Sequence, residues 1–249
     1  MKPYLSVIIP AYDEEDNLRR GSLDVALEYL KKQKYSWEII AVNDGSSDAT
    51  LSLLQKYPIR IIDNPHQGKA ATVITGALAA AGDIILFTDM DQATPISELD
   101  KFIPLFKFGT DIAIGSRSGR PNAPVFRKIL AFGMIIMRTL ILRLPFWDTQ
   151  CGFKAFNKLA ARKIFAVMNK VHVPGVVSGP AVNPGFDLEM LYLGRKLGYK
   201  ITEVPVSWRH QETRRVSFVR DAIAGVTELF LVRWRALTNA YALRNHTQL

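Results

Sequence analysis

The sequence predicts an α/β fold: a mostly parallel sheet with helices on both faces, followed by amphipathic helices. Three observations predict it. Short apolar runs alternate with helical patterns from Leu5 to Ser116. The residues that close successive runs are of one chemical kind, acidic or phosphate-seeking. After Arg120 the chain changes to long apolar segments studded with cations.

Taken in order, Leu5 to Pro10 is a buried strand, and a polar helix runs from Asn17 to Lys32. Trp37 to Asn43 is the second strand, Ala49 to Tyr57 a helix, and Ile59 to Asp63 the third strand. A small-residue helix spans Lys69 to Ala81, and Asp83 to Thr88 is the fourth strand. Ser97 to Phe106 is helical and Asp111 to Ser116 is the fifth strand. Such alternation predicts parallel strands covered on both faces. Ligands of these sheets bind outside the carboxyl ends of the strands. The residues there are Pro10-Ala11-Tyr12-Asp13-Glu14, Asn43-Asp44-Gly45-Ser46, Asp89-Met90-Asp91-Gln92 and Gly115-Ser116-Arg117.

The chain has 249 residues, enough for one substantial core. Residues 1–120 form the expected ligand-binding core, and 121–249 a part continuous with it. The net charge is +9 and the mean hydropathy +0.06. A basic balance favours phosphorylated, nucleic-acid or membrane partners. The cations gather late, beside apolar segments, which favours the membrane; interleaved aromatic platforms and basic helix motifs for nucleic acid are missing. Cys151 is the single cysteine, so no internal disulfide forms, and a reduced, cytosol-facing location is expected. The four histidines lack zinc spacing. No signal-peptide pattern opens the sequence, and no apolar run of membrane-spanning length is free of charge.

Val125 to Leu144 and Phe218 to Leu237 are the two long apolar helices. Arg127, Lys128, Arg138 and Arg143 fall on one half of the first; Arg233 and Arg235 lie near the end of the second. Basic rims with Trp or Phe suit an interfacial membrane position, and packing against the sheet is the equal alternative. The Val-, Gly- and Pro-rich stretch from Asn169 to Pro184 reads as a loop.

Asp89 and Asp91 are the sharpest chemical feature. Two carboxylates one residue apart after a strand can share Mg²⁺ or Mn²⁺, which would then neutralise a diphosphate. An Asp-x-Asp turn capping a helix has the same spelling. Asp44 suits a base edge, with a helix cap as its alternative. Gly68-Lys69 opens a helix where phosphate is favoured. Arg117, Arg209, Arg214 and Arg215, with His210, suit phosphate oxygens. Asp187 and Glu189 open a late helix, where one is a candidate general base and both are ordinary helix-start acids.

The strings SVIIPAYDEE, VNDGSSD, QGKAATV, TDMDQAT, GSR, DTQCGFKAF, GFDLEMLYL, ITEVPVSW and LFLVRW together resemble glycosyltransferase family 2. Within that family they are most similar to the polyprenyl-phosphate glycosyltransferases, especially the dolichyl-phosphate β-glucosyltransferase type. The resemblance spans nearly the whole chain and implies a GT-A fold. It implies donor contacts at Pro10, Ala11, Tyr12, Glu14, Asp44, Lys69, Asp89 and Met90, and metal ligation by Asp89 and Asp91. It implies catalytic roles for Asp91, Asp187 and Arg117, and acceptor-phosphate contacts for Arg117, Arg209, Arg214 and Arg215. The activity implied is inverting transfer of a hexose, glucose first, from a UDP-sugar to a polyprenyl or dolichyl phosphate. It would take place on the cytoplasmic face of a membrane, by a peripheral or monotopic protein. The rivals are GDP-mannose as donor, a sugar hydroxyl as acceptor, and a non-catalytic nucleotide-sugar-binding membrane protein. Glucosyl relatives carry an N-terminal anchor; here the amphipathic helices are expected to supply attachment.

Overall fold

The structure, a computed structural model, describes residues 2–117, 125–172, 185–209 and 218–243; for 125–131 and 218–224 only the backbone is described. Seven strands form one sheet: β1 (Leu5–Ala11), β2 (Trp37–Asp44), β3 (Arg60–Asn64), β4 (Ile84–Thr88), β5 (Ile112–Ser116), β6 (Phe153–Asn157) and β7 (Ile201–Pro205). Their order is β3-β2-β1-β4-β6-β5-β7. All pairs are parallel except those of β6, which runs antiparallel to both β4 and β5.

The helices are α1 (Glu15–Arg19), α2 (Ser22–Lys31), α3 (Thr50–Leu54), α4 (Lys69–Ala79), α5 (Leu99–Lys107), α6 (Val125–Leu142), α7 (Lys158–Val171), α8 (Gly185–Lys196) and α9 (Phe218–Leu237). β1 is buried along its whole length, Ser6 included, as a central strand covered on both faces is. Pro10 is tolerated within this central strand because pairing with β4 stops at Ile8. One core layer packs α4, α7, α8 and α9 against the sheet, with Phe87, Ile114 and Phe156 facing them. The other packs α2 and α5 against Leu5, Val7, Phe153 and Ala155.

Three expectations are corrected. The helix expected over 17–32 is two helices, because Gly21 adopts φ 79° between them, a left-handed conformation only glycine takes freely. Residues 169–171, read as loop, continue α7; 173–184 lie outside the described residues. α7 itself starts where the Asn157 side chain accepts from the Ala160 N–H at 2.8 Å, an N-cap that ends β6. Arg138 does not join a cationic rim. It is buried, and its guanidinium donates to the carbonyls of Leu144 and Phe146 and to Thr149 Oγ1, closing the loop after α6. Five donors on one planar group make it suited to that task.

Register brings the site together. Ala11 pairs with Asn43, Asp44 with Asn64, and Ser116 with Pro205, so these strand ends share one edge. Thr88 pairs with Phe153, the first residue of β6. Because β6 is antiparallel, its entrance rather than its exit lies at that edge. The loop 148–152 therefore joins the four predicted strand ends.

Candidate active site

Two loops at the carboxyl edge are laced together. Asp13 accepts from the Ser47 N–H at 2.8 Å and its own N–H donates to Ser46 Oγ at 3.1 Å. The Glu14 N–H donates to Thr50 Oγ1, the Glu15 N–H to Asp48, and the Ala49 N–H to Glu15. Asp48 also accepts from the Thr50 N–H at 2.9 Å, so the acid that starts α3 is a different one from Asp44.

Asp44 is buried beneath the loop that leads to α4. Its carboxylate accepts from the N–H groups of Gln67 and Gly68, both at 2.9 Å, and from His66 Nδ1 at 2.8 Å. His66 Nδ1 also faces the Asp44 carbonyl at 3.0 Å, so this nitrogen carries the proton. The His66 ring stacks on Tyr12 at 4.0 Å with 14° between planes. A flat aromatic platform thus stands at the end of β1. Ala11 and Met90 are buried as whole residues and pack in the core behind this edge.

Asp89 and Asp91 follow β4. Lys69 Nζ, from the first residue of α4, donates to Asp89 Oδ1 at 2.5 Å. Asp91 accepts from the Ala93 N–H at 2.9 Å. Gln92, at φ 51°, closes the turn: Nε2 donates to the Asp89 carbonyl and Oε1 accepts from the Ile96 N–H. Burial raises Asp91 above the usual carboxylate range; the Ala93 bond opposes this and the Asp89 charge adds to it. Glu14 is pushed up to about 7, by burial first, against its bond from Asn17, with Asp91 and Asp89 adding repulsion. Lys69 is held above its ordinary value: burial opposes, but the charges of Asp89 and then Asp187 outweigh it. Glu14, Lys69, Asp89, Asp91 and Asp187 therefore form one electrostatic cluster.

A divalent cation fits these residues. Hard carboxylate oxygens are the ligands it prefers, and two of them stand one residue apart. A Cβ on residue 152 would overlap Asp89 Oδ2, so Gly152 leaves the space that the carboxylate fills. Among the described residues no three His, Cys, Asp or Glu side chains converge. A cation held by this pair would take its remaining ligands from phosphate oxygens and water, as Mg²⁺ chemistry favours.

Arg117 extends from β5 onto Asp148, with Nε donating to Oδ2 at 2.6 Å and Nη2 to Oδ1 at 2.9 Å. Burial would raise Asp148, but the Arg117 bonds outweigh it and hold the carboxyl low. Glu203 accepts from the N–H groups of Trp147 and Asp148, fixing that loop. Trp208 lies 5.8 Å from the Arg117 guanidinium carbon, and the Arg209 N–H donates to the Ala93 carbonyl at 2.8 Å. The chain after β7 is thus tied to the turn that carries Asp91. The Arg209 residue is exposed; His210, Arg214 and Arg215 lie outside the described residues.

Asp187, at the start of α8, accepts from Lys154 Nζ at 2.6 Å. Glu189 turns away into a buried network, accepting from Arg235 at 2.9 Å and Tyr241 at 2.6 Å and pairing with His172. Of the two acids, only Asp187 lies near the cluster. Lys154 and Asp148 were missed as site residues. The available signal was a lysine and an aspartate within an otherwise uncharged string, DTQCGFKAF.

The model of the family described as Glycosyl transferase family 2 matches residues 6–165. The chain belongs to glycosyl transferase family 2. A dolichyl-phosphate beta-glucosyltransferase of Trichomonas vaginalis is 34% identical over 97% of this glycosyltransferase and 76% of its own length. The dolichyl-phosphate beta-glucosyltransferase of Drosophila melanogaster is 32% identical over 96% and 77%. Among solved structures, glucosyl-3-phosphoglycerate synthase from Mycobacterium tuberculosis, in complex with Mn²⁺ and UDP-glucose, superposes with a TM-score of 0.63 at 21% identity. That match covers 93% of this glycosyltransferase and 79% of the synthase. The mannosyltransferase PcManGT from Pyrobaculum calidifontis, with GDP-Man and Mn²⁺, gives 0.62 at 18%, over 96% and 65%. At these identities the structural likeness shows that the glycosyltransferase has the GT-A fold.

Proposed function

We propose that this enzyme transfers glucose from UDP-glucose to a polyprenyl or dolichyl phosphate, with inversion, at the cytoplasmic face of a membrane. The observation that carries the reading is the Lys69–Asp89–Asp91 cluster at the end of β4, in a chain similar over most of its length to dolichyl-phosphate glucosyltransferases. Residues 1–120 hold the donor and 121–249 the acceptor. The Tyr12–His66 platform and Asp44 take the base and ribose end, with Glu14 beside them and the buried Pro10, Ala11 and Met90 backing the site. Asp89 and Asp91 hold Mg²⁺ or Mn²⁺, which supplies charge neutralisation for the departing nucleoside diphosphate. Lys69 adds a fixed positive charge on the same phosphates.

A phosphate monoester has a second pKa of about 6, so the lipid phosphate is already largely ionised near neutral pH. Positioning and electrostatics then dominate over proton removal. Arg117 and the basic residues after Trp208 orient that phosphate. Asp187 is held by Lys154 Nζ at 2.6 Å, so its carboxylate already has a partner and no step depends on it as a base.

The membrane face is assigned to α6 and α9. Phe132, Ile136 and Leu140 on α6, and Phe230, Trp234 and Leu237 on α9, are exposed at helical spacing. Arg143 and Arg233 are exposed beside them. Among the described residues no helix is long and apolar enough to cross a membrane.

The test is incubation with polyprenyl phosphate and a panel of labelled UDP- and GDP-sugars, with and without Mn²⁺. Label from UDP-glucose is expected in organic-extractable lipid, and Asp91→Ala abolishes it. Label from GDP-mannose alone, or label on a soluble sugar acceptor, overturns the assignment.

A further inference from the structure

Lys154 is fully buried, which is rare for lysine without a paired charge. Its Nζ donates to Asp187 Oδ1 at 2.6 Å and to the Cys151 carbonyl at 2.5 Å, and lies 5.4 Å from the centre of the Phe87 ring. Lys69 Nζ lies 5.8 Å from the centre of that same ring. The two lysines therefore meet one aromatic ring at the end of β4, each bound to its own carboxylate. Asp89, Asp91, Asp148 and Asp187 bring negative charge to the edge where phosphates are to dock. Lys69, Arg117 and Lys154 oppose it. The charge of Asp187 reaches both Lys69 and Arg117.

We propose that Lys154 is a positioning residue for phosphate binding: it pins and neutralises Asp187, which otherwise turns its charge on the phosphate-facing Lys69 and Arg117. Lys154 touches neither substrate. It acts from beneath, because β6 enters the sheet beside β4 and directs this side chain toward α8. The inference rests on the donor reading above and adds to it a residue outside the strand ends.

The experiment is calorimetric titration of UDP with Mn²⁺ into wild type, Lys154→Met, Lys154→Arg and the pair K154M/D187N, with thermal melts to verify folding. Removing one unit charge at this range weakens UDP binding about tenfold, or ~1.4 kcal/mol. Lys154→Arg keeps the charge and most of the affinity. The K154M/D187N pair recovers to within about threefold of wild type. In transfer assays the Lys154→Met loss falls on the donor KM, with kcat held, whereas a packing defect lowers the active fraction. Wild-type affinity in folded Lys154→Met overturns the inference, as does a K154M/D187N pair as weak as Lys154→Met. If Lys154→Met does not fold, Asp187→Asn carries the test: affinity at or above wild type supports the inference, and a tenfold loss overturns it. A wild type that binds neither UDP nor GDP overturns the donor reading, and this inference with it.

Discussion

Replacing Phe230 and Trp234 together by glutamate tests the membrane face most directly. Trp234 is 65% exposed and Phe230 56%. The exposed part of Trp234 is roughly 150 Å², worth ~4 kcal/mol at about 25 cal/mol/Å² if fully immersed in an apolar phase. An interfacial helix immerses only part of that face, so about half is realised for each ring. The two rings then contribute ~3 kcal/mol, more than a hundredfold in partitioning. Charge on the glutamates adds to the loss against anionic lipid. The assay is cosedimentation with vesicles of neutral lipid and of neutral plus anionic lipid. Wild type is expected to sediment with both, more strongly with the anionic mixture, and the double variant to stay in solution. UDP affinity and melting temperature should hold, because neither ring contributes to the core. A double variant that sediments like wild type would refute the reasoning.

Other outcomes follow from the interior. Gly152→Ala drives a methyl into Asp89 Oδ2, so Mn²⁺-dependent UDP binding should fall at least tenfold by calorimetry while the melting temperature moves little. Glu14 holds a proton in the folded state up to about 7 that the unfolded chain releases near 4.5. Its contribution to stability is therefore complete below the lower value and declines as pH rises through that window, by up to ~3 kcal/mol. Urea melts across that range should show the decline, and Glu14→Gln should flatten it. Glu189→Gln leaves Arg235, His172 and Tyr241 around a neutral amide in the interior, and chemical denaturation should register a loss of about 3–5 kcal/mol.

The ends of β1, β2, β4 and β5 were legible in the sequence because parallel strands announce themselves as apolar runs closed by polar residues. Asp89 and Asp91 were found that way and Lys69 as the residue that opens a helix, and the structure brings Lys69 onto Asp89. β6 carried no such signal. It is five residues long, includes a buried lysine, and delivers its entrance to the site, so a search of strand exits passes over it. The partners of Asp44 were hidden for another reason: the 66–68 loop reaches it only because β3 pairs beside β2. Arg138 misled because helical spacing reports the direction of a Cβ, not where a long side chain finds acceptors.

The placement of β6 also sets an order on assembly. β5 shares no ladder with β4; it is held by β6 on one flank and β7 on the other. A nascent chain that has emerged only as far as the 140s therefore presents a half-built platform whose last rung, β4, has a raw margin. Such margins invite pairing with neighbouring chains. The recognisable family segment stops at residue 165, yet cutting there would discard β7 and α8 and leave β5 with a bare flank. The unit that folds is longer than the segment the family model outlines.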